Sequence, residues 1–183
     1  MKLLQRLLCS VFLLMTMRVS AGAEPPLGAS PQPSAPSVDV HDAALPASPV
    51  RVYVVRLRPG DDLRAALQAF AKVRQLRAAF VITCVGSVRE ARLRLANRSE
   101  GTRVAGPLEI VSLVGTLSED GCHLHASVSN GEGTTVGGHL VEGCPVYTTA
   151  EVVIGEADAL RFERRTDSAT SFPELEVKRR VEP

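Results

Sequence analysis

Three of the four histidines in this 183-residue sequence fall in one segment, which reads GCHLHASVSNGEGTTVGGHLVEG from Gly121 to Gly143. His123 and His125 are separated by one residue, and His139 follows fourteen residues later. Imidazole nitrogens are common ligands of Zn²⁺ and similar divalent ions. Three imidazoles with an open fourth position are typical of catalytic or exchangeable sites. The segment is therefore a candidate metal site.

The spacing of the first two histidines suits a β-strand. Because side chains alternate between the two faces of a strand, we expect His123 and His125 on one face and Cys122 on the other. At about 3.3 Å per residue, the two Cα atoms lie roughly 6.5–7 Å apart, which lets both rings reach one ion. His139 is predicted on the next strand, across a turn at 130–133, as the third ligand.

Other functions of these histidines stay open at this point. They could instead form a hydrogen-bonded polar cluster or a small-anion pocket, or no site at all. A metal-dependent hydrolase would need a general base, and Glu151 is the nearest strand acid, although it also suits an edge or interface position. Ser112, Ser127 and Cys122 belong to no elbow or triad pattern, so we assign no catalytic residue and favour a protein that is not an enzyme.

One segment has the periodicity of a helix. Asp61 and Asp62 can cap its start, and apolar residues follow at the i, i+3, i+4, i+7 spacing of an amphipathic helix. These apolar residues are Leu63, Ala66, Leu67, Phe70 and Val73.

The other segments are typical of β-strands. They read VRVYVVRL, AAFVITCVG, VREARLRLAN, PLEIVSLVGTLS, CHLHASVS, TTVGGHLVEG and PVYTTAEVVIG, with one more strand expected at Glu174 to Val177. AAFVITCVG is continuously apolar, as a strand covered on both faces would be. Turns are predicted at 119–121 and 130–133, and Gly137-Gly138 indicates a bulge or a close backbone approach. The pattern predicts an α+β domain, mainly antiparallel sheet or partial barrel, with one main helix.

The amino terminus has the order of a secretory signal peptide over residues 1–23. Lys2 and Arg6 precede an apolar run too short to span a bilayer, and small residues end the leader at Ala23. Residues 24–49 contain seven prolines, which predicts a disordered linker. The folded domain is predicted at 50–177, with a charged tail at 178–183. We expect a secreted or periplasmic protein with no membrane span once the leader is removed; a mis-assigned start would leave it cytoplasmic.

Loss of the leader changes the charge balance. Three of the 21 basic residues leave with it, so 18 remain against 20 acidic residues. A net charge near −2 offers no electrostatic footprint for nucleic acid, which is therefore not an expected partner of the mature chain.

Three cysteines remain in the mature chain. Cys84 lies in an apolar run and is predicted to be a buried free thiol. Cys122 and Cys144 flank the histidine segment and could pair in an oxidising compartment, which sequence alone does not decide.

Four segments together resemble the PPC domain, the plant and prokaryote conserved domain found in plant AT-hook nuclear-localised proteins and as a stand-alone prokaryotic protein. They are LRPGDDLRAALQAFAKVRQLRAAFVITCVGSV, GPLEIVSLVGTLS, HLHASVSNGEGTTVGGHLVEG and VYTTAEVVIGE, in order over nearly all of Val50 to Glu156. The resemblance implies a compact α+β domain that assembles as a homotrimer. It also implies a metal-binding set of His123, His125 and His139.

The resemblance also marks an interaction segment. Gly106, Glu109 and Ile110 correspond to a stretch tied to partner contacts in the plant proteins, although this chain has Pro-Leu where the plant motif has Arg-Phe. No AT-hook core is present. The expectation is an exported, homotrimeric protein that binds Zn²⁺ or a similar divalent metal, with a small-molecule or protein partner. A DNA-binding regulator and a metal-dependent hydrolase are the alternatives.

Overall fold

The structure is a computed structural model that describes residues 47–180. The predicted leader, the predicted linker as far as residue 46 and the last three residues lie outside the described part of the chain. The elements are, in chain order, β1 (Val50–Leu57), α1 (Leu63–Val73), β2 (Ala79–Arg94), β3 (Gly101–Ser118), β4 (Gly121–Ser129), β5 (Thr135–Leu140), β6 (Val146–Ala157), β7 (Leu160–Thr166) and β8 (Pro173–Arg179). No helix among the described residues is long and apolar enough to cross a membrane.

Six strands form one antiparallel sheet in the order β1-β6-β2-β3-β4-β5. Strand β5 also pairs with the end of β2, through Leu93 opposite Leu140 and Arg94 opposite His139. Strands β2 to β5 therefore close on themselves, while β6 and β1 extend the sheet from β2. The predicted class, an α+β domain with a mainly antiparallel, partly closed sheet and one main helix, is confirmed.

Strand β2 is longer than expected. The runs AAFVITCVG and VREARLRLAN, predicted as separate strands, form one strand of 16 residues. Its register with β6 shifts between Val81 and Thr83 and again between Gly86 and Val88. Because a β-bulge bends a strand, β2 can curve far enough to pair with β6 along one half and with β5 at its end.

The helix start is fixed by one carboxylate. Asp62, one of the two predicted caps, accepts a hydrogen bond from the Ala65 amide at 2.9 Å. Its second oxygen accepts from the amides of Gly143 and Cys144, both at 2.8 Å. Asp62 therefore joins the start of α1 to the segment that follows β5.

The apolar stripe of α1 packs on the sheet. Leu63, Leu67 and Ala71 are buried and belong to one core cluster with the inward side chains of β2 to β6. Val73, predicted to be part of this stripe, is 81% exposed at the last position of the helix.

Strands β7 and β8 form a separate hairpin, and β7 was not anticipated. Its sequence, LRFERRT, has four charged residues in seven and lacks an apolar alternation. Strand β8 runs to Arg179, past the expected end at Val177. Arg164 of β7 donates a hydrogen bond to the Thr116 hydroxyl at 2.6 Å, which attaches the hairpin to β3.

Two glycines permit the close approach of strands around β4 and β5. A side chain on Gly115, whose φ is +138°, would collide with the backbone oxygen of His123. A Cβ on Gly138 would lie 2.9 Å from the backbone oxygen of Arg94, at the closure between β5 and β2. The close approach predicted for Gly137-Gly138 is therefore confirmed at Gly138.

Gly138→Ala is expected to destabilise the protein by about 1–3 kcal/mol, because the added methyl group must push β5 away from β2. Gly131→Ala is the matched control, since a Cβ there has no atom within 4 Å, and we expect a change within about 0.5 kcal/mol. Urea unfolding measures both variants. Amide exchange of Val141, which donates to the Arg92 oxygen at 3.1 Å, reports opening of the closure. Equal stability of the two variants would contradict the importance of this contact.

Candidate metal centre

Strands β4 and β5 bring the three histidines together. His123 and His125 lie on the exposed face of β4, whereas Leu124 and Ala126 between and after them are buried. His125 is directly opposite His139 in the ladder between β4 and β5. Side chains directly opposite each other in an antiparallel pair share one face of the sheet. All three imidazoles therefore lie on the outward face.

The ring nitrogens are close enough to bind one ion. One nitrogen from each histidine lies within 4.8 Å of the others. The Nε2 atoms of His123 and His125 are 3.2 Å apart. Two nitrogens bound to a tetrahedral Zn²⁺ at about 2.0–2.1 Å lie roughly 3.3 Å from each other. The donor set and its spacing therefore fit Zn²⁺ or a similar divalent ion.

A ring nitrogen of His139 adds a second indication. Its Nδ1 atom is buried and has no hydrogen-bond partner among residues 47–180. Leaving a buried polar atom unsatisfied costs about 1–3 kcal/mol, and such atoms are uncommon in folded proteins. The cluster thus contains a nitrogen that needs a partner from outside the described residues.

The surroundings of His123 and His139 hold these two imidazoles in the neutral form. Burial, the Arg94 guanidinium and the other two histidines together lower the pKa of His139 to about 4. Burial also lowers the pKa of His123, with help from Arg164 and His125. Only an unprotonated imidazole nitrogen can bind a metal. At neutral pH these two side chains therefore present free lone pairs.

Glu151 does not join the histidines. It lies on β6, opposite Arg56 of β1 and Val85 of β2. The ligand group among the described residues consists of the three histidines alone. Glu151 is accordingly an exposed residue on the outward face of the sheet.

The residues that correspond to the partner-contact stretch of the plant proteins lie away from the histidines. Gly106 precedes a cis peptide bond to Pro107. Gly106, Glu109 and Tyr147 line a cavity of about 510 Å³. This cavity shares no lining residue with the cavity beside the histidines. Ile110 is buried and packs in the core.

The three cysteines within residues 47–180 are free thiols. Cys84 is buried, as predicted, and burial raises its pKa to about 11. Burial likewise raises the pKa of Cys144 to about 11. The Cys144 sulfur accepts a hydrogen bond from the Arg92 amide at 3.1 Å and donates to the Val141 oxygen at 3.4 Å. Cys122 and Cys144, which were candidates for a disulfide, are not joined.

Sequence reasoning missed the charged side chains beside the histidines, among them two arginines and a glutamate. Arg94, Arg164 and Glu174 line the same cavity as His123 and His139. Arg94 is brought there by the β2–β5 closure, and the other two by the β7–β8 hairpin. Neither feature has a local sequence signal, because both depend on contacts between distant segments.

A curated relative and three solved structures are similar to this chain. A Synechococcus sp. strain JA-3-3Ab protein named "Bifunctional protein GlmU" is 45% identical over 138 residues, which are 75% of this chain. The chain spans only 22% of that relative's length. A hypothetical protein of Salmonella enterica has a TM-score of 0.73 at 42% identity, over 74% of this chain and 99% of its own.

The other two structures are more distant. An Archaeoglobus fulgidus protein described as metal-containing has a TM-score of 0.60 at 28% identity, over 70% of this chain and 95% of its own. A Bacteroides thetaiotaomicron protein described as a proposed DNA-binding protein has a TM-score of 0.61 at 21% identity. The match covers 72% of this chain and 98% of the other, and it shows that the two share a fold.

The family itself is established by a longer match. The profile of the Plants and Prokaryotes Conserved (PCC) domain matches residues 45–158, which include the whole sheet from β1 to β6 and the three histidines. The resemblance to the PPC domain is thereby confirmed, and the chain belongs to the Plants and Prokaryotes Conserved domain family.

Proposed function

We propose that this chain is a metal-binding PCC-domain protein in which His123, His125 and His139 hold one Zn²⁺ or similar divalent ion. The observation that carries the proposal is the convergence of three ring nitrogens within 4.8 Å on one face of the sheet. The unsatisfied nitrogen of His139 supports it, as does the description of the Archaeoglobus fulgidus relative as metal-containing.

The proposed role of the ion is to bind a ligand. Three protein ligands leave at least one position of a tetrahedral ion for a ligand or an exchangeable water. No carboxylate belongs to the ligand group within residues 47–180. Glu174, which lines the adjacent cavity, accepts a hydrogen bond from the Thr170 hydroxyl at 3.1 Å. These observations favour a binding protein over a metal-dependent hydrolase.

Metal analysis of the purified full chain tests the assignment. The wild type is expected to retain about one Zn²⁺ per chain after dialysis, whereas His123→Ala and His139→Ala should bind Zn²⁺ at least about tenfold more weakly. His41→Ala, which removes the fourth histidine, is the control and should keep the wild-type metal content. Circular dichroism checks that each variant is folded. A wild type that takes up neither Zn²⁺ nor Co²⁺ would overturn the proposal.

A homotrimer, implied by the family resemblance, is the proposed assembly, and the outward face of the sheet supports an interface between copies. Val52 and Val54 of β1, Ile82 and Val85 of β2 and Val114 of β3 are between 49% and 76% exposed. The continuously apolar run of β2 predicts a strand covered on both faces, yet Ile82 and Val85 are open in the single chain. A second copy of the chain would cover them, as apolar patches of this kind mark interfaces.

Val54→Glu is expected to shift the assembly from trimer to monomer, because it places a charge in an apolar interface. Val73→Glu is the matched control: Val73 is 81% exposed but lies on α1, so the trimer should persist. Light scattering after size-exclusion chromatography gives the mass of each. A monomeric wild type, or a Val54→Glu variant that stays trimeric, would rule out this interface.

Export through residues 1–23 remains a proposal that rests on the leader sequence. The mature chain is expected to begin at Glu24, which amino-terminal sequencing of protein recovered outside the cytoplasm of its own host would show. Recovery only from the cytoplasm with Met1 or Lys2 at the amino terminus would contradict export. The near balance of 18 basic and 20 acidic residues in the exported chain gives no support to DNA as a partner.

A further inference from the structure

A cavity of about 420 Å³ adjoins the candidate metal centre. It is bounded by the outward face of the sheet, the first turn of α1 and the β7–β8 hairpin. Three arginines line it together with His123, His139 and Phe172. Its volume lies in the range of small-molecule sites, which are clefts or cavities of about 300–1,000 Å³. The cavity and the histidines therefore form one continuous site.

Arg94 is fixed beside the histidines by the ladder of the sheet. It is directly opposite His139 in the β2–β5 pair, so the two side chains extend from the same face. Within residues 47–180, no carboxylate forms an ion pair with Arg94. Its charge is therefore available to a ligand.

Arg164 is held on the other side of the site. Its Nη2 donates to the Thr116 hydroxyl at 2.6 Å, and Thr116 is directly opposite His123 in the β3–β4 pair. This single bond to a neutral hydroxyl orients the guanidinium and leaves its other donors unused among the described residues. Arg164 thus faces the histidines with an uncompensated charge.

The third arginine, Arg64, is only weakly compensated. It forms an ion pair of 2.9 Å with Glu142, whose side chain is 68% exposed. An exposed pair of this kind contributes about 0–1 kcal/mol and can exchange partners. The lining therefore contains three guanidinium groups against one carboxylate, Glu174.

This balance selects for an anion. A guanidinium presents parallel N–H donors that match the two oxygens of a carboxylate or a phosphate. A divalent ion at the histidines adds positive charge to the same cavity, and its open position accepts an oxygen ligand. Phe172 and Pro173 supply apolar surface for the rest of a ligand.

We propose that the cavity binds a small molecule through an oxyanion, a carboxylate or a phosphate, which contacts Arg94 and Arg164 and completes the coordination of the histidine-bound ion. The proposal rests on the proposed function, because the ion supplies one of the contacts. It goes further by naming the chemical class of the ligand and the arginines that recognise it.

Isothermal titration of the zinc-loaded protein with inorganic phosphate and with succinate tests the proposal. Arg94→Gln and Arg164→Gln should keep the wild-type zinc content but bind the preferred anion at least about tenfold more weakly, because each loses a charge-assisted hydrogen bond. Arg103→Gln is the control: Arg103 is an exposed arginine paired with Glu90 and does not line the cavity. It should bind the anion as the wild type does. The stronger of the two probes identifies the oxyanion as phosphate or carboxylate.

The zinc content of each variant distinguishes a failure of the anion proposal from a failure of the metal proposal. Zinc-loaded protein that binds neither anion, or that binds equally well in both arginine variants, overturns the anion proposal and leaves the metal site intact. An equal loss in Arg103→Gln also overturns it, because binding would then follow net charge alone. A wild type that takes up no zinc overturns the proposed function, and the anion proposal with it.

Discussion

The pairing of β5 with the end of β2 is the constraint on which the site depends. Only two residue pairs make this closure, Leu93 with Leu140 and Arg94 with His139. The leucine pair is fully buried in the core, so the apolar contact that stabilises the fold also fixes the polar pair beside it. The closure holds His139 against β4 and places a guanidinium next to the imidazoles. It requires Gly138, because any side chain there meets the β2 backbone.

The same geometry explains why the histidines are suited to bind a metal without first rearranging. They project from paired strands of a hydrogen-bonded sheet, and strands hold side chains more rigidly than loops do. Burial and the neighbouring arginines keep His123 and His139 neutral by lowering their pKa values. The arginines that help to lower these pKa values also attract an anion to the site.

Local sequence patterns predicted much of the fold and the histidine cluster. The alternation of side chains placed His123 and His125 on one face of β4. The turn at Asn130 then returns the chain so that His139 lies beside them; in this turn the Asn130 side chain accepts hydrogen bonds from the amides of Glu132 and Thr134. The periodicity of the strands and the helix predicted the fold class, and the family resemblance implied the same class. The helix was also predicted, because Asp62 and the apolar spacing that follows it act over only a few residues.

The remaining features depend on contacts that no local pattern encodes. Bulges change the side-chain alternation along β2, so one long strand resembled two short ones. The charged sequence of β7 forms a strand because β8 pairs with it. Arg94 and Arg164 reach the cavity only through the β2–β5 closure and the hairpin. The histidines were therefore predictable, whereas the arginines around them were not.

Anomalous X-ray diffraction from crystals of the zinc-loaded protein, recorded above and below the zinc absorption edge, would locate the ion relative to the three histidines. We expect one zinc peak per chain within about 2.0–2.1 Å of a ring nitrogen of His123, His125 and His139. A zinc peak that contacts fewer than three of these rings, or no peak among them, would contradict this expectation.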